Sequence, residues 1–185
     1  MHVAVKTLAD AFAEATGTAA DIVFEPMGAL QARLAAGETA DVLILATPAI
    51  DTLGKSGAID TASRADVGRA PIGVAIGIYL RDLFARLGLA DVIAEKTVRQ
   101  ASGVAAAACV ARGEADLAMT FIPELLQAAG VRILGPLPPP FGHATGYAAA
   151  VSAGTPDRET ARAFIAALTA PASREVWAKA GFEVW

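Results

Sequence analysis

Twice along this chain a helix-forming stretch stops at a glycine, turns through Glu and Ala-Asp, and enters an apolar run. Leu34–Ala46 reads LAAGETADVLILA and Val110–Phe121 reads VARGEADLAMTF. An apolar run without alternation suits a strand buried on both faces, and such strands need helices on either side of a parallel sheet. The pattern directs the chain toward an α/β class with a mainly parallel sheet. A helix–glycine–strand turn is common in α/β proteins; it is also what two similar lobes, each carrying one copy, would show.

The rest of the chain fits that alternation. Val5–Thr16 places Leu8, Phe12 and Ala15 on one helical stripe, stopped by Gly17. Ala20–Glu25 is short and β-branched, and Pro26-Met27-Gly28 breaks it from a helix over Ala29–Ala36. Thr47-Pro48 opens another helix, with threonine expected at the N-cap and proline at the first turn. Residues Ile59–Arg69 are more polar and are given no regular element. Strands are expected at Ile72–Ile76, Thr97–Arg99, Ala115–Phe121, Val131–Leu134 and Ala144–Ser152. Helices are expected at Ile78–Leu87, Ala90–Lys96, Ser102–Arg112, Pro123–Ala129, Asp157–Leu168 and Pro171–Ala180. GPLPPPFG, residues 135–142, suits neither a helix nor a central strand and reads as a crossover.

Composition removes several functions. At 55% hydrophobic and 18% charged the chain is too apolar for intrinsic disorder. Its longest apolar run, Ala70–Leu80, is too short to cross about 30 Å of hydrocarbon. A net charge of -4 with scattered basic residues leaves no footprint for nucleic acid. A single cysteine, Cys109, excludes a disulfide framework and a thiolate-rich metal site. The first residues show no basic and apolar leader pattern, so no signal peptide is expected within this chain.

Catalytic chemistry is sparse. His2 and His143 stand apart, and no HExxH, GxSxG, Walker A or GxGxxG pattern occurs, so neither a metal, a cofactor nor a catalytic residue is assigned. Glu38, Asp41, Glu114 and Asp116 read as turn residues, and Cys109 as a small buried hydrophobe. The strand-to-helix loops remain. In parallel α/β sheets ligands sit where strand ends meet helix N-termini, whose unpaired N–H groups and partial positive charge hold anions without Arg or Lys. The candidate binding residues on these loops are Met27, Gly28, Ala46, Thr47, Gly77, Tyr79, Ser102 and Thr120.

The order of these segments resembles the type II periplasmic solute-binding proteins of ABC transporters, in particular the molybdate-binding-protein-like group. The stretches that carry it are AVKTLADAFAEATG, EPMGALQARLAAGETADVLILATPAIDTLGKSGAI, GIYLRDLFARLGLADVIAEKTVRQ, GVAAAACVARGEADLAMTFIPELL and VSAGTPDRETARAFIAALTAPASREVWAKAGFE. The resemblance implies two α/β lobes, 1–70 plus 141–185 and a reduced lobe at 71–140, with a ligand cleft and lobe closure read by a membrane permease. It further implies a periplasmic location, with the cytoplasm as the alternative, and a non-catalytic role in capturing a small anion. The serine pair usual at the second loop is Met27-Gly28 here, which favours an organic anion, or no ligand, over molybdate. A ligand-sensing effector domain of the LysR type, a degenerate binding-protein-like protein and an enzyme on the same fold are the competing readings.

Overall fold

The computed structural model describes residues 1–73 and 85–184. The predicted helix Ile78–Leu87 and strand Ile72–Ile76 lie largely outside the described residues, as do the candidate site residues Gly77 and Tyr79. The elements run α1 (His2–Thr16), α2 (Met27–Ala35), β1 (Val42–Ala46), α3 (Thr47–Lys55) and β2 (Ile59–Pro71). They continue α4 (Ala90–Ala94), α5 (Gly103–Ala111), α6 (Ile122–Leu125), β3 (Ala144–Ser152), α7 (Arg158–Thr169), a 3-10 turn (Pro171–Ser173) and α8 (Arg174–Lys179). The chain divides into two compact units, one of Met1–Arg69 with Thr145–Trp185 and one of Ala70–Ala144. Among the described residues no helix is long and apolar enough to cross a membrane.

The first unit is built on a three-stranded sheet in the order β1-β3-β2. The α/β class stands, but the β1–β3 pair is antiparallel, with Val42 opposite Val151 and Ala46 opposite Tyr147. The mainly parallel sheet expected from the alternation is therefore interrupted here. Its cause is the chain path: β3 comes back from the second unit and inserts between β1 and β2. This also moves the apolar strand. DVLILA was expected to be buried on both faces, yet β1 is an edge and buries only Leu45 fully. The central position belongs to β3, whose Ala148, Ala149, Ala150 and Val151 are all fully buried. Alanines let helical layers approach both faces of that strand closely.

On one face Ala148 and Ala150 join Leu45, Ile50 and Ile59, with Met27, Leu30, Leu34 and Leu53 of α2 and α3 packed against them. A second set of helices closes the unit. α1 buries Ala4, Val5, Leu8, Ala9 and Phe12 and packs against α7 and α8. Ala15, expected on that stripe, is exposed. Phe12 meets Phe164 edge to face at 5.4 Å, the arrangement aromatic quadrupoles favour. Gly17 ends α1 at φ 75, donating to the Ala13 carbonyl at 2.8 Å; a side chain would resist that left-handed turn.

The polar segment at 59–69, given no element from sequence, is instead part of the 13-residue strand β2. Its polar side chains are satisfied sideways. Ser63 Oγ accepts from Val151 N–H at 2.9 Å, Asp60 pairs with Arg162 at 2.6 Å, and Arg64 with Asp51 and Asp66 at 3.1 Å.

The second unit has a smaller described core around Ile72, with Met119, Phe121, Leu137 and Phe141. Ile72 bridges Phe121, receives a bond from Leu137 N–H at 3.0 Å, and donates to His143 O at 2.8 Å. Among the described residues the strands expected at Ala20–Glu25, Thr97–Arg99, Ala115–Phe121 and Val131–Leu134 form no ladder; the third makes only the Phe121–Ile72 bridge and a bond from Gly73 N–H to Thr120 O at 3.1 Å. Leu117 is 64% exposed and Val98 73%, so no described layer buries these two side chains.

Candidate functional site

The structure distributes the six described candidates over both units. Met27 is the first residue of α2 and packs against the core, so its side chain is partly structural. Gly28 beside it is exposed, and an added Cβ would meet nothing within 4 Å. Thr47 was expected to cap α3; instead Ala46 is the N-cap and Thr47 the first helical residue. The strand runs into the helix without a loop, so the boundary falls one residue early. Ala46 pairs with Tyr147 across the sheet, and a Cβ built on Gly146 would lie 3.0 Å from Thr47 Oγ1. Ala46, Thr47, Gly146 and Tyr147 are thus brought together at one end of β1 and β3. Gly146 was not singled out from sequence; its glycine in a strand is the signal that could have found it.

Neither α2 nor α3 has a side-chain cap, so no cap side chain accepts from their first N–H groups; in α2 Ala29 N–H already donates to the Pro26 carbonyl at 2.9 Å. Two arginines, one on α2 and one at the end of α5, are engaged by carboxylates. Arg33 on α2 holds Glu25 at 2.7 Å and also Glu38, which keeps the Glu38 carboxyl below the usual carboxylate range. Arg112 at the end of α5 does the same to Glu114 at 2.6 Å. Glu38 and Glu114, read from sequence as turn residues, are thus each paired with the arginine of the helix that precedes them.

In the second unit Ser102 caps α5 as expected, its Oγ accepting from Ala105 N–H at 3.1 Å. Thr120 is 5% exposed and donates its hydroxyl to the Glu124 carboxylate. Both press on Gly103, the first residue of α5: an added Cβ would collide with the Thr120 hydroxyl and Glu124 carboxylate. Glu124 was missed from sequence. Its spacing of one helical turn from Thr120 was the available signal. Cys109 is buried, as expected of a small hydrophobe.

Among the described residues no cluster of His, Cys, Asp and Glu could hold a metal. Two open surface hollows, of about 300 and 330 Å³, lie at Ile50–Arg64 and His2–Phe24 and include no candidate residue.

The family model described as bacterial extracellular solute-binding protein matches residues 1–77 and 73–183. The chain belongs to that family. A curated relative named aconitate isomerase, from Pseudomonas sp., is 30% identical over 199 residues, covering 87% of this chain and 76% of the relative. The periplasmic molybdate-binding protein of Azotobacter vinelandii has the same fold, with a TM-score of 0.80 at 21% identity over 98% of this chain and 94% of that one. The sulfate-binding protein SubI of Mycobacterium tuberculosis aligns with a TM-score of 0.76 at 16% identity, over 98% and 82% of the two chains. The solute-binding family and its fold therefore agree with the resemblance read from the segment order, and the structural neighbours are binding proteins.

Proposed function

We propose that this solute-binding family member captures a small anion on its strand-to-helix loops, with carboxylates the favoured class, and does not turn it over. In this reading the two units act as the lobes of a periplasmic binding protein that delivers its ligand to an ABC permease. The observation that carries it is the start of α3. The helix begins directly at the end of β1 with no side-chain cap, beside Gly146 and Tyr147, so its first N–H groups point where a ligand oxygen can accept them. Met27 and Gly28 offer an apolar wall and open backbone at the start of α2, and they supply no hydroxyl of the kind an inorganic oxyanion would use. Ser102 and Thr120 provide the corresponding loop in the second unit.

A second reading is favoured by the curated relative: an isomerase acting on aconitate. One experiment separates the two. Molybdate, sulfate, acetate, cis-aconitate and trans-aconitate are added singly at millimolar concentration, and the melting temperature and the cis/trans ratio are both followed. At a hundred times Kd a ligand adds about 2.7 kcal/mol, a rise of roughly 5–10 °C for a chain of this size. We expect such a rise with a carboxylate and an unchanged isomer ratio. Interconversion of the aconitates establishes the isomerase instead, and no shift with any anion overturns the capture reading.

A further inference from the structure

The loop of the second unit already holds a carboxylate. Glu124 reaches from α6, which packs against α5, to the first residue of α5. There its Cδ lies 2.6 Å from where a Cβ of Gly103 would be, so only glycine leaves room for it. The buried Thr120 hydroxyl, against the same face of Gly103, donates to that carboxylate. None of the described ion pairs involves Glu124; its negative charge faces a hydroxyl and the positive end of a nine-residue helix. Two segments, the start of α5 and the stretch Thr120–Glu124, thus meet to hold an acidic group where the capture reading puts a ligand's.

We propose that Glu124 is an internal competitor for the anion at this loop. A ligand carboxylate or sulfate cannot share the start of α5 with a second full negative charge, so it binds there only by displacing Glu124. Thr120 and Gly103 keep the competitor in register, and Glu124 sets how strong an anion the loop accepts. The inference rests on the capture reading, and its test keeps the two apart.

The full chain and its Glu124→Gln and Glu124→Ala variants are titrated calorimetrically with trans-aconitate and with sulfate. Gln keeps the shape and a hydrogen-bonding partner for Thr120 while removing the charge, so it remains decisive even where Ala unfolds the loop. The expected result is a Kd for at least one anion lowered about tenfold or more in Glu124→Gln. Binding seen only in the variant supports the inference equally. If wild type and variant bind with equal Kd, or the variant binds more weakly, Glu124 is no competitor while anion capture stands. If neither binds either anion, both readings fall together.

Discussion

Trp177 ties the end of the chain to the first unit through one buried hydrogen bond. It is 1% exposed, meets Phe182 edge to face at 5.1 Å, and donates its indole N–H to the Leu168 carbonyl at 2.8 Å. That carbonyl lies at the end of α7, where a helix leaves its last acceptors without intrahelical donors. Trp177→Phe preserves most of the aromatic packing and removes the donor, so it isolates the bond. The expected cost is about 1–3 kcal/mol, the penalty for taking one partner from a buried pair. Urea unfolding measures it: the midpoint falls while the slope stays unchanged. Trp177→Ala adds a cavity and costs roughly 3–5 kcal/mol.

At the scale of elements, helix starts decide how the chain responds to acid. Asp157 caps α7, its carboxylate accepting from Thr160 N–H at 3.0 Å. That backbone donor holds the Asp157 carboxyl below its usual range. A carboxylate with a depressed folded pKa stabilises fully above its unfolded value, near 3.9, and loses that contribution as pH falls through the folded value. Asp157→Asn keeps a capping oxygen without the charge. The variant is therefore expected to lose less of its stability than wild type between about pH 4 and pH 2. Thermal melts of the two chains across that range check this, and parallel curves would show that the cap does not titrate.

The helix starts were also the most legible part of the sequence. Asp157 and Ser102 announce caps by residue type, and both form them. Gly17 and Gly113 mark helix ends and both take positive φ. Strands were read less well because their signals depend on neighbours. Ala20–Glu25 has β-branched residues but pairs with no strand among the described residues, while the polar β2 has both a partner strand and ion pairs to settle its charges. In the sheet, the centre fell to the alanines of β3 rather than to DVLILA. Strand order depends on where the chain returns after some hundred residues, which no local pattern encodes. The candidate loops were legible as helix starts; the Thr120–Glu124 pair had a local signal in its spacing, but its seat on Gly103 did not, since that contact joins two separate segments.

At the scale of the molecule the two units differ in how deeply they bury their apolar side chains. In the first, Ala148 to Val151, Ile50 and Leu168 are fully buried within layered helices. In the second, Leu117, Val98, Leu126 and Leu134 are each 49% or more exposed, and the described buried apolar side chains are few and mostly small, among them Ile72, Ala106, Ala107, Cys109 and Leu125. Segments with few buried apolar contacts open at lower free energy than a central strand. Amide hydrogen exchange is therefore expected to be slowest at Ala148–Val151, with the Leu117–Met119 segment exchanging faster by at least about a hundredfold. Mass spectrometry of peptides spanning the two segments measures both in one run. Equal protection would mean that the second unit shares the stability of the first and that its exposed side chains cost it little. The same measurement with a captured anion then reports on the loops. Because a ligand stabilises whatever it binds, slower exchange at Gly103–Ala106 and Thr47–Ile50 on adding the anion would assign it to those helix starts. Slowing confined to Thr47–Ile50 would leave the second loop to Glu124.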